Sequence, residues 1–389
     1  MLHSYQKPLT GKTVGVVFGS FAPLHQGHLD LIMQAKKEND GGCIVIVCGH
    51  SKDKGEPLMP HNKRYRYVRE FFADDDLVAV YAINDTEIGA EKYPEGWTAW
   101  MNEFNNIWDK ATEISHHYED DRPPLYRSPD RRPNRVWYVG DKNYYNDLRE
   151  MWHENAVLVD RVATNPICAT MIRQNPIKHW DKITFPFRRV FSTNILICGT
   201  ASEGKTTMTV DLGKYFNAPY SHEYARDYMK ESCVSEWELD GADYMAFLEG
   251  QYNLNKKLIN SPANHGIFFA DSDSMVTRMY AEHYAKDGDC AITQEEFEKV
   301  AVLADELTRR CKWDKIYLLC PHGTFVDDHE RYMAHSSMDE RQKLFKILCD
   351  NIKVSGNWDK VTILDGGYWN NFIKIVEDVR EIIENGKMD

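Results

Sequence analysis

The loop Gly199-Thr-Ala-Ser-Glu-Gly-Lys-Thr206 constrains the fold more than any other stretch, because it fits the pattern Gly-x-x-x-x-Gly-Lys-[Ser/Thr] at every fixed position. The stretch 194–198 before it, which is apolar from Ile195 onward, predicts a buried strand, and residues 207–216 after it predict a helix. The pattern requires this context, since the backbone N–H groups of such a loop wrap phosphates at a helix N-terminus. The predicted nucleotide-phosphate contacts are Gly199, Thr200, Ala201, Ser202, Glu203, Gly204, Lys205, Thr206 and Thr207.

Side chains in and after this loop predict phosphoryl transfer. Lys205 would reach the β and γ phosphate oxygens, and the Thr206 hydroxyl would hold Mg²⁺. The apolar run 266–270 predicts another strand, which Asp271 and Asp273 follow. Because residues two apart on a strand point the same way, both carboxylates would face the loop if the strand continues. Asp271 is the better candidate either to bind Mg²⁺ or to accept a proton from the attacking hydroxyl, and the sequence leaves these roles open.

Two further stretches are candidates for substrate contact in this half of the chain. Glu223 and Arg226 follow the first predicted helix and could bind a polar group such as a ribose, although a surface ion pair explains their spacing equally well. The stretch Asp327-Asp-His-Glu-Arg331 has the composition of a kinase lid. Its Arg331 could close on the transferring phosphoryl group.

A second glycine-bearing loop, Phe18-Gly-Ser-Phe-Ala-Pro-Leu-His-Gln-Gly-His28, lies near the beginning of the chain. The apolar run before it predicts a buried parallel strand, and the helical spacing after it predicts a helix that begins near His25 or His28. These two imidazoles lie on one face of the opening turn, where they can bind phosphate oxygens. A metal pair or two surface histidines would explain the spacing alone. Gly19 and Gly27 favour phosphate, because they let the backbone turn and a ligand approach.

Other positions in this half could complete a nucleotide site. Within the loop we also expect Ser20 and Phe21 to contact ATP, and Gly140-Asp141, after a predicted strand at 135–139, is suited to a base or ribose. The basic helix 61–72 either presents a solvated face or brings Arg64 or Arg66 to a phosphate.

An aromatic stretch interrupts this half between two predicted strands. Residues 86–135 have the composition of an irregular excursion, which in a compact α/β domain is usually functional or a lid. Trp97 and Trp100 within it either stack on a flat ring or pack locally.

The stretch Ile167-Cys-Ala-Thr-Met-Ile-Arg173 predicts a second phosphate contact at a helix N-terminus. Thr170 and Arg173 are three residues apart and therefore share a face, where a hydroxyl and a guanidinium could hold a triphosphate. Taken alone, the stretch also fits a helix cap with a surface arginine. The histidine loop upstream favours phosphate binding.

Composition sets broad limits on the class of protein. A chain of 389 residues is expected to form two or more domains, and the Pro-containing stretch 174–192 predicts a boundary between domains at 1–185 and 186–389. The net charge of -13 argues against binding to nucleic acid or to an anionic membrane, and no apolar run is long enough to span a bilayer. Nine scattered cysteines without a Cys-x-x-Cys pair predict reduced thiols in a cytoplasmic protein.

The motifs resemble those of known nucleotide-handling families. The first loop is similar to the Gly-Ser-Phe-x-Pro-x-His-x-Gly-His signature of the nucleotidyltransferase superfamily, and 167–173 resembles its Ile-Ser-x-Thr-x-x-Arg motif with Cys168 in place of serine. From about residue 12 to the C-terminus the chain resembles bifunctional nicotinamide-nucleotide adenylyltransferases and ribosylnicotinamide kinases, the NadR-like family. Further matching stretches are Gln174-Asn-Pro-x-x-x-Trp180, Glu223-Tyr-x-Arg-Asp-Tyr228, Asp271-x-Asp273 and Val326-x-Asp328-x-x-Arg331.

This resemblance implies a fold and two reactions. The fold would be α/β, with a Rossmann-like nucleotidyltransferase domain followed by a P-loop NTPase-type kinase domain, both with parallel sheets. The kinase would use ATP and Mg²⁺ to phosphorylate nicotinamide riboside to the mononucleotide NMN, with Lys205 and Asp271 as catalytic residues. The other domain would convert NMN and ATP to NAD and pyrophosphate. His25, His28 and Arg173 would neutralise the leaving group, and Trp97 and Trp100 would bind NMN.

Three alternatives remain open at this stage. The chain could be a nucleotidyltransferase–kinase fusion on another cofactor pathway, a ligand-sensing regulator with little turnover, or an enzyme with one activity. In an enzyme with one activity, the replacement of the motif serine by Cys168 would favour the kinase as that activity. Many relatives carry an N-terminal helix-turn-helix, but only a short polar lead precedes the first strand here, so we do not expect DNA binding. The sequence leaves homo-oligomerisation open.

Overall fold

The computed structural model describes residues 8–53, 55–112, 132–160, 166–288, 290–322 and 337–385. The chain divides into two compact units, Met1–Val190 and Phe191–Asp389. Among the described helices, none is long and apolar enough to cross a membrane.

The N-terminal unit is built on a parallel five-stranded sheet with the order β3-β2-β1-β4-β5. Its strands are β1 Thr13–Gly19, β2 Cys43–Gly49, β3 Val78–Asn84, β4 Asn134–Val139 and β5 Ala156–Leu158. Its helices are Gln26–Glu38, His61–Phe71, Trp97–Thr112, Lys142–Glu150 and Ala169–Gln174, and Phe185–Phe191 lies at the boundary with the second unit.

The central strand β1 places the first loop at the point where a ligand crevice forms. In β1, Val16 lies between Ile44 of β2 and Trp137 of β4. Strands β2 and β3 follow one another on one side of β1, and the chain then returns to form β4 on the opposite side of β1. In such open parallel sheets, ligands bind at this switch point, beyond the carboxyl ends of the strands. The loop 19–25 begins at this end of β1.

The expectation that residues 86–135 are irregular is wrong for 97–112, which form a helix of 16 residues. Its apolar positions recur every three or four residues, and Trp97, Trp100, Met101 and Phe104 are all buried in the core of the unit. The helix packs against Trp137 of β4, with the ring centroids of Phe104 and Trp137 only 4.5 Å apart. Residues 113–131 lie outside the described part of the chain.

The C-terminal unit contains a second parallel five-stranded sheet, with the order β10-β9-β6-β8-β7. Its strands are β6 Thr193–Gly199, β7 Tyr220–Ser221, β8 Ile267–Ala270, β9 Lys315–Leu319 and β10 Val361–Leu364. Its helices are Lys205–Phe216, Tyr224–Ser232, Gly241–Ile259, Ser274–Asp287, Gln294–Arg310, Met338–Val354 and Tyr368–Asn385.

Strand β6 lies at the centre of this sheet and is buried along its whole length. It ends at Gly199, so the second phosphate-type loop also follows a central strand at its carboxyl end. The prediction of an α/β chain with two parallel sheets is therefore confirmed.

Candidate active sites

The histidine loop of the N-terminal unit gathers two imidazoles at the start of a helix. His25 has extended backbone and forms the N-cap of Gln26–Glu38, and its carbonyl accepts bonds from His28 N at 2.8 Å and Leu29 N at 3.1 Å. The two imidazole rings stack with their centroids 3.8 Å apart. His25 is buried, whereas His28 is half-buried. The structure thus brings the two predicted histidines together at the positive end of a helix dipole.

A fully buried arginine holds this loop in place. The Arg64 guanidinium donates to the backbone carbonyls of Ser20 at 2.5 Å, Cys48 at 2.8 Å and Met59 at 2.9 Å. It also pairs with the Glu56 carboxylate at 2.7 Å. Arg64 therefore fastens the loop to the end of β2 rather than facing an open phosphate site. Arg66, the other basic candidate, is exposed.

The second motif of this unit lies against the first loop. Arg173, on the helix Ala169–Gln174, donates from Nη1 to the carbonyl of Ala22 and from Nη2 to Thr170 Oγ1 at 3.2 Å. Cys168 is the N-cap of that helix, and its side chain makes no capping bond. Residues more than 140 positions apart thus form one candidate triphosphate site.

Trp97 and Trp100 pack in the core and also line a cleft of about 360 Å³. Their rings are almost parallel, with the centroids 5.4 Å apart, and Phe18 and Tyr144 complete the aromatic wall. Asp85 lies on the same cleft, and burial raises the pKa of its carboxyl to about 6. Asp85 Oδ1 and Trp97 Nε1 are buried, and neither atom has a hydrogen-bond partner within the described residues.

Gly140 and Asp141 follow β4, the strand adjacent to β1. Asp141 is exposed and caps the helix Lys142–Glu150, accepting a bond from Asn143 N at 2.8 Å. The pair therefore lies at the carboxyl edge of the sheet, as predicted, although the carboxylate is already used as a cap.

In the C-terminal unit, the loop after β6 has the curved backbone that a phosphate site needs. Ser202 and Gly204 both have left-handed backbone, with φ of 62° and 78°. Successive N–H groups in such turns converge into an anion-binding concavity. Lys205 starts the next helix and donates from Nζ to the carbonyl of Thr200 at 2.8 Å. Thr206 and Thr207 are exposed on the first turn.

Asp271 lies directly beside this loop. It follows β8, is fully buried, and accepts a hydrogen bond from Thr206 Oγ1 at its Oδ2 atom. Its Oδ1 atom has no hydrogen-bond partner within the described residues. Burial raises the pKa of this carboxyl to about 7, while the nearby Lys205 ammonium acts in the opposite direction.

The expectation that Asp273 also faces the loop is contradicted by the structure. Strand β8 ends at Ala270, so the alternation of side chains does not continue to residue 273. Asp273 is instead the N-cap of Ser274–Asp287, where it accepts bonds from Met275 N at 3.0 Å and from Trp313 Nε1 at 2.9 Å. Its buried carboxylate therefore stabilises a helix terminus and an indole, and Asp273 is not among the residues that line the cleft beside the loop, so the expected riboside contact is wrong.

A cleft of about 900 Å³ opens beside the same loop. Glu223 and Arg226 both line it and pair with each other at 3.1 Å. Both also act electrostatically on Asp271, Glu223 raising and Arg226 lowering its pKa. The structure therefore brings together three of the predicted substrate-binding residues. Arg331, the predicted lid residue, lies outside the described residues.

Sequence reasoning missed several groups of this unit. Tyr244, Tyr284 and Glu236 line the cleft, and Tyr284 donates to Glu236 at 2.6 Å. The Glu203 carboxylate is buried and paired with Arg341 Nη1 at 2.8 Å. Glu203 can therefore contact a phosphate in the loop only through its backbone N–H. These contacts join residues far apart in the chain. In the other unit, Asp85 could have been found from its position at the end of a predicted strand.

The two halves of the chain match two protein-family models. A cytidylyltransferase-like model matches residues 16–178, and an AAA-domain model matches residues 194–368. The trifunctional NAD biosynthesis/regulator protein NadR of Escherichia coli strain K12 is 28% identical over 391 residues, which cover 97% of this chain and 85% of that protein.

Solved structures resemble the whole chain. A crystal structure of a NadR protein in complex with NR is 31% identical, with a TM-score of 0.81, and the match covers 98% of this chain and 99% of the other. A NadR protein in complex with NAD and AMP-PNP gives a TM-score of 0.80 at the same identity and coverage.

Proposed function

The chain belongs to the NadR family, and on this basis we propose that it makes NAD in two steps at two separate sites. The unit Phe191–Asp389 phosphorylates the ribose 5′-hydroxyl of nicotinamide riboside (NR) with ATP. The unit Met1–Val190 joins the resulting mononucleotide, NMN, to the adenylyl group of a second ATP. One observation carries this proposal: each unit has its own phosphate-type loop after the central strand of its own parallel sheet.

In the kinase unit, the chain's own groups position ATP and the riboside. The N–H groups of the loop 199–206 bind the phosphates, and Lys205 turns from the carbonyl of Thr200 to the β and γ oxygens. Glu223 and Arg226 bind the ribose at the mouth of the adjacent cleft. The riboside oxygen then attacks the γ-phosphorus, the bond to the β–γ bridging oxygen breaks, and Asp271 orients or takes the hydroxyl proton.

Mg²⁺ fits the residues beside this loop. The cation prefers oxygen ligands, and the Thr206 hydroxyl and the Asp271 carboxylate lie in contact with each other. Asp271 also carries a buried oxygen atom without a hydrogen-bond partner among the described residues. Bound there, Mg²⁺ would neutralise the charge that develops on the transferring phosphoryl group.

In the adenylyltransferase unit, the phosphate of NMN attacks the α-phosphorus of ATP. The bond to the α–β bridging oxygen breaks, and pyrophosphate leaves without a covalent enzyme intermediate. The N–H groups at the start of Gln26–Glu38, the imidazoles of His25 and His28, and the Arg173 guanidinium stabilise charge on the leaving group. Ser20, Phe21 and Thr170 complete the triphosphate site, and Gly140 and Asp141 meet the adenosine.

The aromatic cleft is the proposed binding site for the nicotinamide end of NMN. The pyridinium ring of NMN is flat and cationic. Trp97, Trp100 and Tyr144 provide aromatic walls for such a ring, and the Asp85 carboxylate provides a negative charge. The Trp97 indole N–H, which has no partner among the described residues, is available to a carbonyl oxygen of the ligand.

We place the enzyme in the cytoplasm. All nine cysteines are free thiols, which supports a reducing compartment. With a net charge of -13, binding of nucleic acid is not part of the proposal. The proposal holds equally for a monomer and for a homo-oligomer.

The test of this function is to incubate the protein with NR, ATP and Mg²⁺ and to separate the products. We expect NMN to appear first and NAD to follow. NMN without NAD would indicate a kinase with a weak second activity. Binding of NR without either product would indicate a sensor. Turnover only with an unrelated acceptor would place the fusion on another cofactor pathway.

A further inference from the structure

A cluster of three potential metal ligands lies between two helices of the C-terminal unit, and the proposed reactions do not use it. His283 and Asp287 are one turn apart on the helix Ser274–Asp287, and Glu340 lies in the first turn of Met338–Val354. One ligand atom from each residue lies within 4.8 Å of the other two. We propose that these three side chains bind a divalent transition-metal ion, with Zn²⁺ as the reference ion.

The spacing of the ligand atoms fits a tetrahedral ion. His283 Nε2 is 3.2 Å from Asp287 Oδ2 and 3.5 Å from Glu340 Oε2. Zinc binds nitrogen and oxygen ligands at about 2.0–2.2 Å, so two ligands of a tetrahedron lie about 3.3–3.6 Å apart. A small adjustment of side chains would therefore let all three atoms face one ion, with water in the fourth position.

Charge and burial in the cluster also favour a dication. The His283 side chain is only 5% exposed, and its imidazole points at two carboxylates. Lys343 pairs with the other oxygen of Glu340 at 2.5 Å, and Lys286 is paired with Glu282 at 2.7 Å. The cluster therefore offers a dication two carboxylate oxygens and one imidazole nitrogen as ligands. Imidazole as a ligand selects zinc, nickel or copper over Mg²⁺.

The cluster is connected to the phosphate loop 199–206 through neighbouring residues of one helix. Glu340 is followed by Arg341, which is buried and pairs with Glu203 inside the loop at 2.8 Å. An ion held by Glu340 would fix the first turn of this helix against Ser274–Asp287. It would thereby restrict the motion of Arg341 and of the loop that Arg341 supports. The metal would act as a structural clamp for the kinase unit, remote from the reacting atoms.

The test is a Zn²⁺ titration of the full-length, metal-stripped protein, followed by calorimetry and by thermal unfolding. The variants are Asp287→Asn, at a position with a 38% exposed side chain, and His283→Asn. An exposed histidine of the same unit supplies the matched control, His265→Asn. Loss of one ligand is expected to weaken Zn²⁺ binding about tenfold or more and to remove the Zn²⁺-induced rise in melting temperature, as for ligand-linked stability.

The comparison is between wild type and variants, because other histidines and thiols also bind zinc. We expect wild type and His265→Asn to bind one more equivalent of Zn²⁺ than Asp287→Asn and His283→Asn do. Mg²⁺ should not compete for this additional equivalent. Equal stoichiometry and equal affinity in all four folded proteins would overturn the proposal. If His283→Asn fails to fold, Asp287→Asn alone decides. NMN and NAD formation by the Zn²⁺-free protein, supplied with NR, ATP and Mg²⁺, is measured in parallel and tests the proposed function separately.

Discussion

Arg64 Nη1 donates a 2.5 Å hydrogen bond to the backbone carbonyl of Ser20, and thereby connects a fully buried guanidinium to the exposed part of the histidine loop. The same guanidinium binds two further carbonyls, at Cys48 and Met59. A planar fork of donors can satisfy these acceptors together, whereas a lysine ammonium cannot reproduce that geometry. Arg64 is therefore a positioning residue for the adenylyltransferase loop.

Replacement of this residue should affect one reaction only. We expect Arg64→Lys to lower kcat for NAD formation from NMN on the order of 100-fold, the scale expected when catalytic groups are misplaced by about 1 Å. The KM for NMN should change little, because the aromatic cleft is formed by other residues. Arg66→Lys, at an exposed position on the same helix, is the matched control. An equal loss in both variants, or a loss of riboside phosphorylation as well, would argue against a positioning role.

The Asp85 carboxylate should make NMN binding depend on pH. Burial raises the pKa of this group to about 6, so the negative charge is lost as the pH falls through 6. We therefore expect the KM for NMN to rise in wild type between pH 7 and pH 5. At pH 7.5 the KM of Asp85→Asn for NMN should be about tenfold higher than that of wild type, in line with the loss of a charged hydrogen bond of about 1.5 kcal/mol. The KM of this variant should not rise further between pH 7 and pH 5.

Steady-state kinetics over this pH range, with the exposed Asp109→Asn as control, provide the measurement for Asp85. A KM for NMN that rises equally in wild type and Asp85→Asn would show that another group titrates.

Asp271 should make both kinase activity and stability depend on pH. With limiting Mg²⁺, riboside phosphorylation should increase as the pH rises through about 7, because the ionised carboxylate is the active form. Asp271→Asn should lose phosphorylation and retain NAD synthesis from NMN. Activity of the Asn variant with an unchanged pH profile would exclude Asp271 from the reaction.

The same shift affects stability in a defined direction. The folded protein holds the proton of Asp271 up to about pH 7, whereas the unfolded chain releases it near the ordinary value of 3.8. Between these values the native state binds more protons, so the free energy of unfolding should fall as the pH rises from about 4 to about 7. Denaturant titrations of metal-free wild type and Asp271→Asn should show a steeper fall in wild type, because other carboxyls with a raised pKa, such as Asp85, titrate in both proteins. Parallel curves would contradict the assignment.

Replacement of Cys168 should improve NAD formation, whereas the substitutions above should impair a reaction. Cys168 caps the helix Ala169–Gln174 without a side-chain bond. A serine there would supply a capping oxygen, worth about 1 kcal/mol, and would restore the hydroxyl of the motif that this stretch resembles. We expect Cys168→Ser to lower the KM for ATP in NAD formation, with riboside phosphorylation unchanged. An unchanged or higher KM would show that the thiol replaces the hydroxyl without loss.

The sequence predicted what depends on local pattern. Both phosphate loops were predictable because strand, turn and helix are consecutive, and the burial of β1 and β6 follows from their mainly apolar sequences. His25 and His28 were predictable as neighbours for the same reason. Arg173 and the histidine loop could be paired only through resemblance, since 151 residues separate the guanidinium from the carbonyl of Ala22.

What the sequence did not predict depends on where elements end and on distant contacts. Alternation placed Asp273 beside Asp271, but β8 ends at Ala270 and the next helix uses Asp273 as its cap. Charge on the helix 61–72 suggested a phosphate contact for Arg64, whereas its guanidinium donates to backbone carbonyls of the histidine loop and of β2 and pairs with the Glu56 carboxylate. The pairing of Glu203 with Arg341 spans 138 residues and has no local signal.

The most direct measurement of the central claim is a crossed pair of variants, Lys205→Ala and His28→Asn, each supplied with ATP and Mg²⁺ and with either NR or NMN. Two independent phosphate sites predict that Lys205→Ala makes NAD from NMN but no NMN from NR. They also predict that His28→Asn makes NMN from NR and accumulates it without NAD. If either substitution abolished both reactions in a folded protein, the account of two separate sites would be contradicted.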